Sequence, residues 1–152
     1  MKLPEELRFT VSADGRPLAG MLVKLEFPMA AKNPHRMVFG PSDPSGEIYI
    51  TGYQITSEAK KTQDLFPMDY NRLEVGWDGR LRARPMSLSM IKRALSAFEK
   101  FGGQNYAPGY ENHLQAAQTA LAQMPEAVLT IELNSSSLEA VAFETKPVRA
   151  GK

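Results

Sequence analysis

Hydrophobic and polar positions alternate over residues 7–12, with Leu7, Phe9 and Val11 on one side and Arg8, Thr10 and Ser12 on the other. That is the period of a half-buried strand. Ala13-Asp14-Gly15-Arg16-Pro17 supplies turn chemistry, and a second alternation places Met21, Val23, Leu25 and Phe27 on one face until Pro28 stops it, because proline cannot donate to a ladder. Residues 28–35 read as loop and 37–39 as a short strand. The cluster from Gly40 to Gly46 is dense in turn residues, and Ile48 and Ile50 face inward on the strand 47–51. Residues 54–70 follow neither period. Residues 57–61 can form a helical turn, and Leu65-Phe66-Pro67-Met68 reads as an apolar segment tucked onto a sheet. Leu73, Val75 and Trp77 then alternate, Asp78-Gly79 fits a two-residue turn, and Leu81 and Ala83 alternate on return. This predicts a β-hairpin.

The period changes after Pro85. Leu88, Ile91, Leu95 and Phe98 form one helical stripe, Ser87 is a suitable N-cap, and Gly102-Gly103 is a suitable stop. Tyr110, Leu114, Ala117, Leu121 and Met124 form a second stripe ended by Pro125. The loop 102–109 is short enough for an antiparallel helix pair. Leu129, Ile131 and Leu133 restore the strand period, residues 134–137 read as a turn, and 138–144 as a last strand.

Two strands alone are marginal, so the last pair is expected to rejoin the first sheet. The expected fold is mainly β with α: an antiparallel β-sandwich with a two-helix hairpin inserted at 87–124 before the last two strands. One domain is expected over 1–145, followed by a frayed basic tail at 146–152.

Two segments carry a resemblance. Gly15-Arg16-Pro17-Leu18-Ala19-Gly20-Met21-Leu22-Val23-Lys24-Leu25 and Ser42-Asp43-Pro44-Ser45-Gly46-Glu47-Ile48-Tyr49-Ile50 are similar to the strand openings and tight turns of prealbumin-like sandwiches, the transthyretin-like and carboxypeptidase-regulatory-like domains. The resemblance covers about 45 residues of strand and turn signals and excludes the helices. It implies a prealbumin-like sandwich and, with it, one of three uses. The hydroxyisourate hydrolases of that architecture end in Tyr-Arg-Gly-Ser, whereas this chain ends Val148-Arg149-Ala150-Gly151-Lys152. The intradiol dioxygenases hold ferric iron with two tyrosines and two closely spaced histidines, whereas His35 and His113 are far apart in sequence. The third use, a rigid module that positions another protein, requires no catalytic residue.

Composition narrows the chemistry. There is no cysteine among the 152 residues, which excludes disulfides, zinc–thiolate sites, iron–sulfur clusters and thiol catalysis. Net charge is +1, which gives no general pull toward nucleic acid or membrane. No apolar run approaches the roughly 20 residues of a membrane helix. The opening residues have no apolar signal region, so a cytoplasmic location is expected. There is no Gly-x-Ser-x-Gly elbow and no phosphate-cradling loop. The charge distribution is uneven: residues 72–100 carry net +4, residues 101–145 hold no lysine or arginine and carry net −5, and residues 146–152 add +3.

Arg80, Arg82 and Arg84 share one strand face by the two-residue period. They form either a solvated row that protects a sheet edge or a contact for an acidic partner, since guanidinium groups pair bidentately with carboxylates. Tyr106 and Tyr110 of the loop 102–110 are contact candidates of low rotamer entropy or caps on the helix pair, and Trp77 is either core edge or contact. His35 reads as an exposed loop residue and His113 as solvated in the first turn of a helix. Both are weak candidates for a metal or a catalytic base. The reading favoured by the sequence is a non-enzymatic protein-binding module (an adaptor, an assembly accessory, or an inhibitor of the immunity type) that uses no cofactor and does not bind nucleic acid. The alternatives are a hydrolase or metal-dependent enzyme centred on histidine, and a structural subunit of a phage or secretion apparatus.

Overall fold

The computed structural model describes residues 2–30, 33–59, 70–102, 109–138 and 141–152. Its elements run β1 (Glu6–Ala13), β2 (Arg16–Pro17), β3 (Val23–Phe27), β4 (His35–Phe39), β5 (Glu47–Thr51), α1 (Gly52–Ala59), α2 (Tyr70–Gly76), β6 (Arg80–Pro85), α3 (Leu88–Phe101), α4 (Tyr110–Ala122), β7 (Val128–Ser136), β8 (Ala142–Thr145) and β9 (Val148–Arg149). They build two sheets packed together, with the helix pair α3–α4 before the last three strands.

In the first sheet β1 is central. It pairs with β2 and β5 along one edge and with β7 along the other, and β7 carries β9. The second sheet runs β4–β3–β6–β8. Alternation decides which side of each strand is dry. Leu7, Phe9 and Val11 of β1 and Leu129 and Ile131 of β7 meet Leu25, Phe27, Met37 and Leu81 of the second sheet, all almost fully buried. The ring of Phe9 lies 5.9 Å from that of Phe143 on β8, which ties the two layers together. The outer faces carry the polar residues of the same strands.

The β1–β2 turn follows the expectation from its residues: Asp14 and Gly15 both take positive φ, 50° and 81°, as a tight hairpin turn demands. Ser87 caps α3 by accepting the amide of Met90, and Gly102 ends that helix with φ 78°. Phe98 and Tyr110 stack at 6.4 Å between α3 and α4, while Leu114, Ala117 and Leu121 are fully buried.

The architecture differs from the sequence reading in five places. First, residues 73–76 belong to helix α2 rather than to a hairpin strand, and Trp77, just past its end, donates its amide to the Leu73 carbonyl and makes an isolated bridge with Met29. Leu73 and Trp77, four residues apart, are buried, while Val75 between them is 84% exposed. That is helical periodicity, since a strand would bury all three. Asp78-Gly79 therefore joins a helix to β6. Second, residues 54–59 of the segment with no clear period belong to α1, which starts at Gly52, and Leu65-Phe66-Pro67-Met68 lies outside the described residues. Third, Ser135 and Ser136 extend β7 instead of turning it. The register with β1 shifts between Arg8 and Phe9, so Asn134 becomes the extra residue of a bulge and its amide donates to Thr10 Oγ1. Fourth, residues 128–144 do not make a hairpin. β7 completes the first sheet, whereas β8 crosses to the second and pairs with β6 in parallel, so the sandwich is not purely antiparallel. Fifth, the tail is not frayed: Val148 and Arg149 pair with β7, and Ala150 is fully buried.

Candidate functional site

The outer face of the second sheet carries a lattice of charge set by strand register. Arg36 on β4 stands opposite Glu26 on β3, Glu26 opposite Arg82 on β6, and Arg82 opposite Glu144 on β8. Signs alternate across all four strands. Arg36 Nε reaches Glu26 Oε1 at 3.2 Å and Arg82 Nε reaches Glu144 Oε2 at 2.9 Å. Opposite charges facing across a sheet support the pairing, and this row neutralises itself.

Two residues further along the strands the balance is lost. Val38, Lys24 and Arg84 face one another on β4, β3 and β6, and Lys146 follows the last residue of β8. Among the described residues, no acidic side chain lies within ion-pair distance of Arg84 or Lys146. Helix α3 overhangs this row. Ser87 and the turn after Pro85 start the helix beside β6, and its residues Met90, Arg93, Ala94 and Ala97 fall at the 3.6-residue spacing of one face. That face and the sheet enclose a groove of about 810 Å³, with Arg93 on its wall and Tyr110 at one end. The two alanines lack the bulk that would fill it. Arg93, like Arg84, has no acidic partner among the described residues.

The structure brings together some of the residues singled out from the sequence and separates others. Arg82, Arg84 and Tyr110 line the groove. Arg80 shares their strand face but turns to Asp78, whose Oδ2 accepts from Arg80 Nε at 3.0 Å and Nη2 at 2.7 Å. This pair holds the Asp78 carboxyl below its ordinary range. Trp77 is core, not contact: it is 2% exposed, its Nε1 donates to the Arg80 carbonyl at 2.5 Å, and its ring meets Phe27 edge-on at 5.6 Å. Tyr106 lies outside the described residues. His35 is not an exposed loop residue: it opens β4, pairs with Phe27 and is 4% exposed. His113 lines a second cavity of about 440 Å³ beside Phe39, at the other end of β4. His35 does not line that cavity and stands about 13 Å along β4 from Phe39 at ordinary strand rise. Among the described residues no group of three or more His, Asp or Glu side chains is placed to hold a metal ion.

Sequence reading missed Lys24, Arg93 and Lys146. Lys24 was visible as an outward position of its strand. Nothing in the local pattern places Arg93 or Lys146 against Arg84, because a helix crossing and a parallel strand pairing bring them there. No family model, no curated protein and no solved structure matches this chain. No helix among the described residues is long and apolar enough to cross a membrane.

Proposed function

We propose that this protein is a non-enzymatic binding module, built on a prealbumin-like sandwich and acting in the cytoplasm, that takes hold of another protein through the outer face of the sheet β4–β3–β6–β8. The observation that carries this reading is a cluster of three cations inside a preformed groove. Arg84, Arg93 and Lys146 line one cavity without an acidic partner among the described residues, and the pairs Arg36–Glu26 and Arg82–Glu144 that line it too cancel in charge, so the lining is net positive. Concentrated charge of one sign in a concave site focuses the field on an oppositely charged partner and speeds encounter. His35 does not line the cavity that His113 lines, so the histidine-centred enzyme reading has no comparable support.

The test is capture of partners by the immobilised wild-type protein and by an Arg84→Glu/Arg93→Glu variant whose thermal stability is no lower than that of wild type. Neither arginine has a described ion-pair partner to lose, so folding should survive the change. Wild-type protein should retain a partner that elutes as salt is raised, since exposed charges are screened over about 8–10 Å at physiological ionic strength. The variant should retain none. Equal capture by both proteins rejects this surface.

A further inference from the structure

The groove is basic on balance. Arg84, Arg93 and Lys146 line it beside the matched pairs Arg36–Glu26 and Arg82–Glu144, while Val38 on β4, Ala97 on α3 and Tyr110 on α4 give it an apolar end next to Lys24. Val38 and Tyr110 also line the second cavity. The floor spans four strands, about 14 Å at the ordinary spacing between strands. An extended chain advancing about 3.3 Å per residue crosses that distance in roughly four residues.

We infer that the groove receives an extended acidic peptide segment of a partner. Two or three of its carboxylates would be held by Arg84, Arg93 and Lys146, and an apolar residue beyond them would seat against Val38, Ala97 and Tyr110. The inference rests on the binding function proposed above and names the partner's chemistry. Charge complementarity selects an anion. The paired Glu26 and Glu144 on either side of Arg82 select a short one, because a nucleic-acid backbone continuing across the sheet would run its phosphates over fixed carboxylates. The apolar end selects a ligand with a hydrophobic side chain, which a free phosphate lacks. Arginine suits the role because its planar fork can hold a carboxylate with two parallel hydrogen bonds.

The experiment measures fluorescence anisotropy of a labelled peptide in which a run of glutamates is followed by phenylalanine. The full-length protein is titrated in at low and at physiological salt. Three comparison probes are used: the same peptide with glutamines, the same peptide with alanine in place of phenylalanine, and a single-stranded oligonucleotide of matched charge. The glutamate–phenylalanine peptide should bind most tightly. The glutamine peptide should be weaker by tenfold or more, and the alanine peptide by a smaller factor. Arg84→Glu and Arg93→Glu should each weaken binding about tenfold, the size of one charge-assisted pair. Ala97→Trp, which fills the apolar end and leaves the cations in place, should remove the preference for phenylalanine. Equal binding of the glutamine peptide, or tighter binding of the oligonucleotide, overturns the inference. If acidic peptides fail to bind while partner capture still depends on Arg84 and Arg93, the face docks a folded surface, and only the peptide inference falls. If both fail, the proposed function falls with it.

Discussion

Lys24 on β3 and Arg84 on β6 are direct register partners on the outer face of one sheet. Like charges placed opposite each other across a sheet are destabilising. Two residues along, Glu26 stands opposite Arg82, so the same strands carry the favourable arrangement there. A sequence selected for stability alone would put an acid at position 84. The pair therefore predicts a conflict between stability and binding. Arg84→Glu should raise unfolding free energy in urea by about 0.5 kcal/mol, within the range of roughly 0.2–1 kcal/mol for cross-strand pairs, while it weakens acidic-peptide binding about tenfold. A loss of stability in that variant would mean that Arg84 serves the fold rather than a ligand.

Trp77 gives a second prediction, which separates core from contact. The indole is buried, donates to the Arg80 carbonyl and meets Phe27 edge-on. Trp77→Phe keeps most of the packing but leaves that carbonyl without its indole donor, which should cost about 1–3 kcal/mol. Trp77→Ala should cost about 3–5 kcal/mol through the cavity it opens. As the sole tryptophan of the chain, it also reports unfolding by a red shift of its own emission in the wild-type protein. Partner capture by folded Trp77→Phe should match the wild type.

Asp43 and Asp78 predict how stability depends on acid. The Asp43 carboxylate accepts the Ser45 hydroxyl at 2.6 Å and the amides of Ser45 and Glu47, each at 2.9 Å. The Ser45 hydroxyl is the main cause of a carboxyl held below its ordinary value of 3.8, followed by the Glu47 amide. Asp78 is lowered in the same direction, chiefly by the Arg80 side chain. A carboxyl whose folded pKa is depressed contributes stability above its unfolded pKa and loses that contribution as pH falls through the folded value. The urea midpoint should therefore drop below about pH 4. An Asp43→Asn/Asp78→Asn variant should be less stable than wild type near neutrality and converge with it in acid. Parallel curves would assign the acid loss to other carboxylates.

The period-two segments were legible because one face of each strand is dry. Leu7, Phe9 and Val11, or Val23, Leu25 and Phe27, could not alternate as they do and remain exposed. The α3 boundaries were legible from Ser87 and Gly102, whose chemistry acts locally. Leu73, Val75 and Trp77 were misleading because alternation over five residues also fits a helix that leaves its middle apolar residue in water, as Val75 does. The run Asn134–Ser137 hid a bulge, since polar turn residues and polar bulge residues look alike. The partner of β8 was beyond reach: Val141 and Phe143 say that a strand exists, and no local signal says which sheet accepts it. The site follows the same rule. Arg82 and Arg84 share a face by period alone, whereas Arg93 and Lys146 join them only through tertiary placement.

The segment that closes the sandwich yields the last prediction. Ala150 donates its amide to the Ala127 carbonyl at 2.8 Å and accepts the Leu88 amide at 2.6 Å, and Gly151 donates to the Pro125 carbonyl at 2.9 Å. These bonds fasten the final residues to the start of α3 and to the approach of β7, and the Ala150 methyl is fully buried. Ending the chain after Pro147 would leave the Leu88 amide and the Ala127 and Pro125 carbonyls without these partners and would bare the edge of Val128 and Leu129. At about 1 kcal/mol for each lost bond, the truncated protein should be less stable by roughly 3 kcal/mol. For a chain of this length that lowers Tm by about 6–12 °C. A point variant, Ala150→Asp, should act in the same direction by burying an unpaired carboxylate, without shortening the chain. In the wild-type protein the amides of Leu88 and Ala150 should exchange with deuterium as slowly as those of β1. Rapid exchange at both, with Tm unchanged by truncation, would show that β9 does not hold the first sheet together and that α3 is anchored by its N-cap alone.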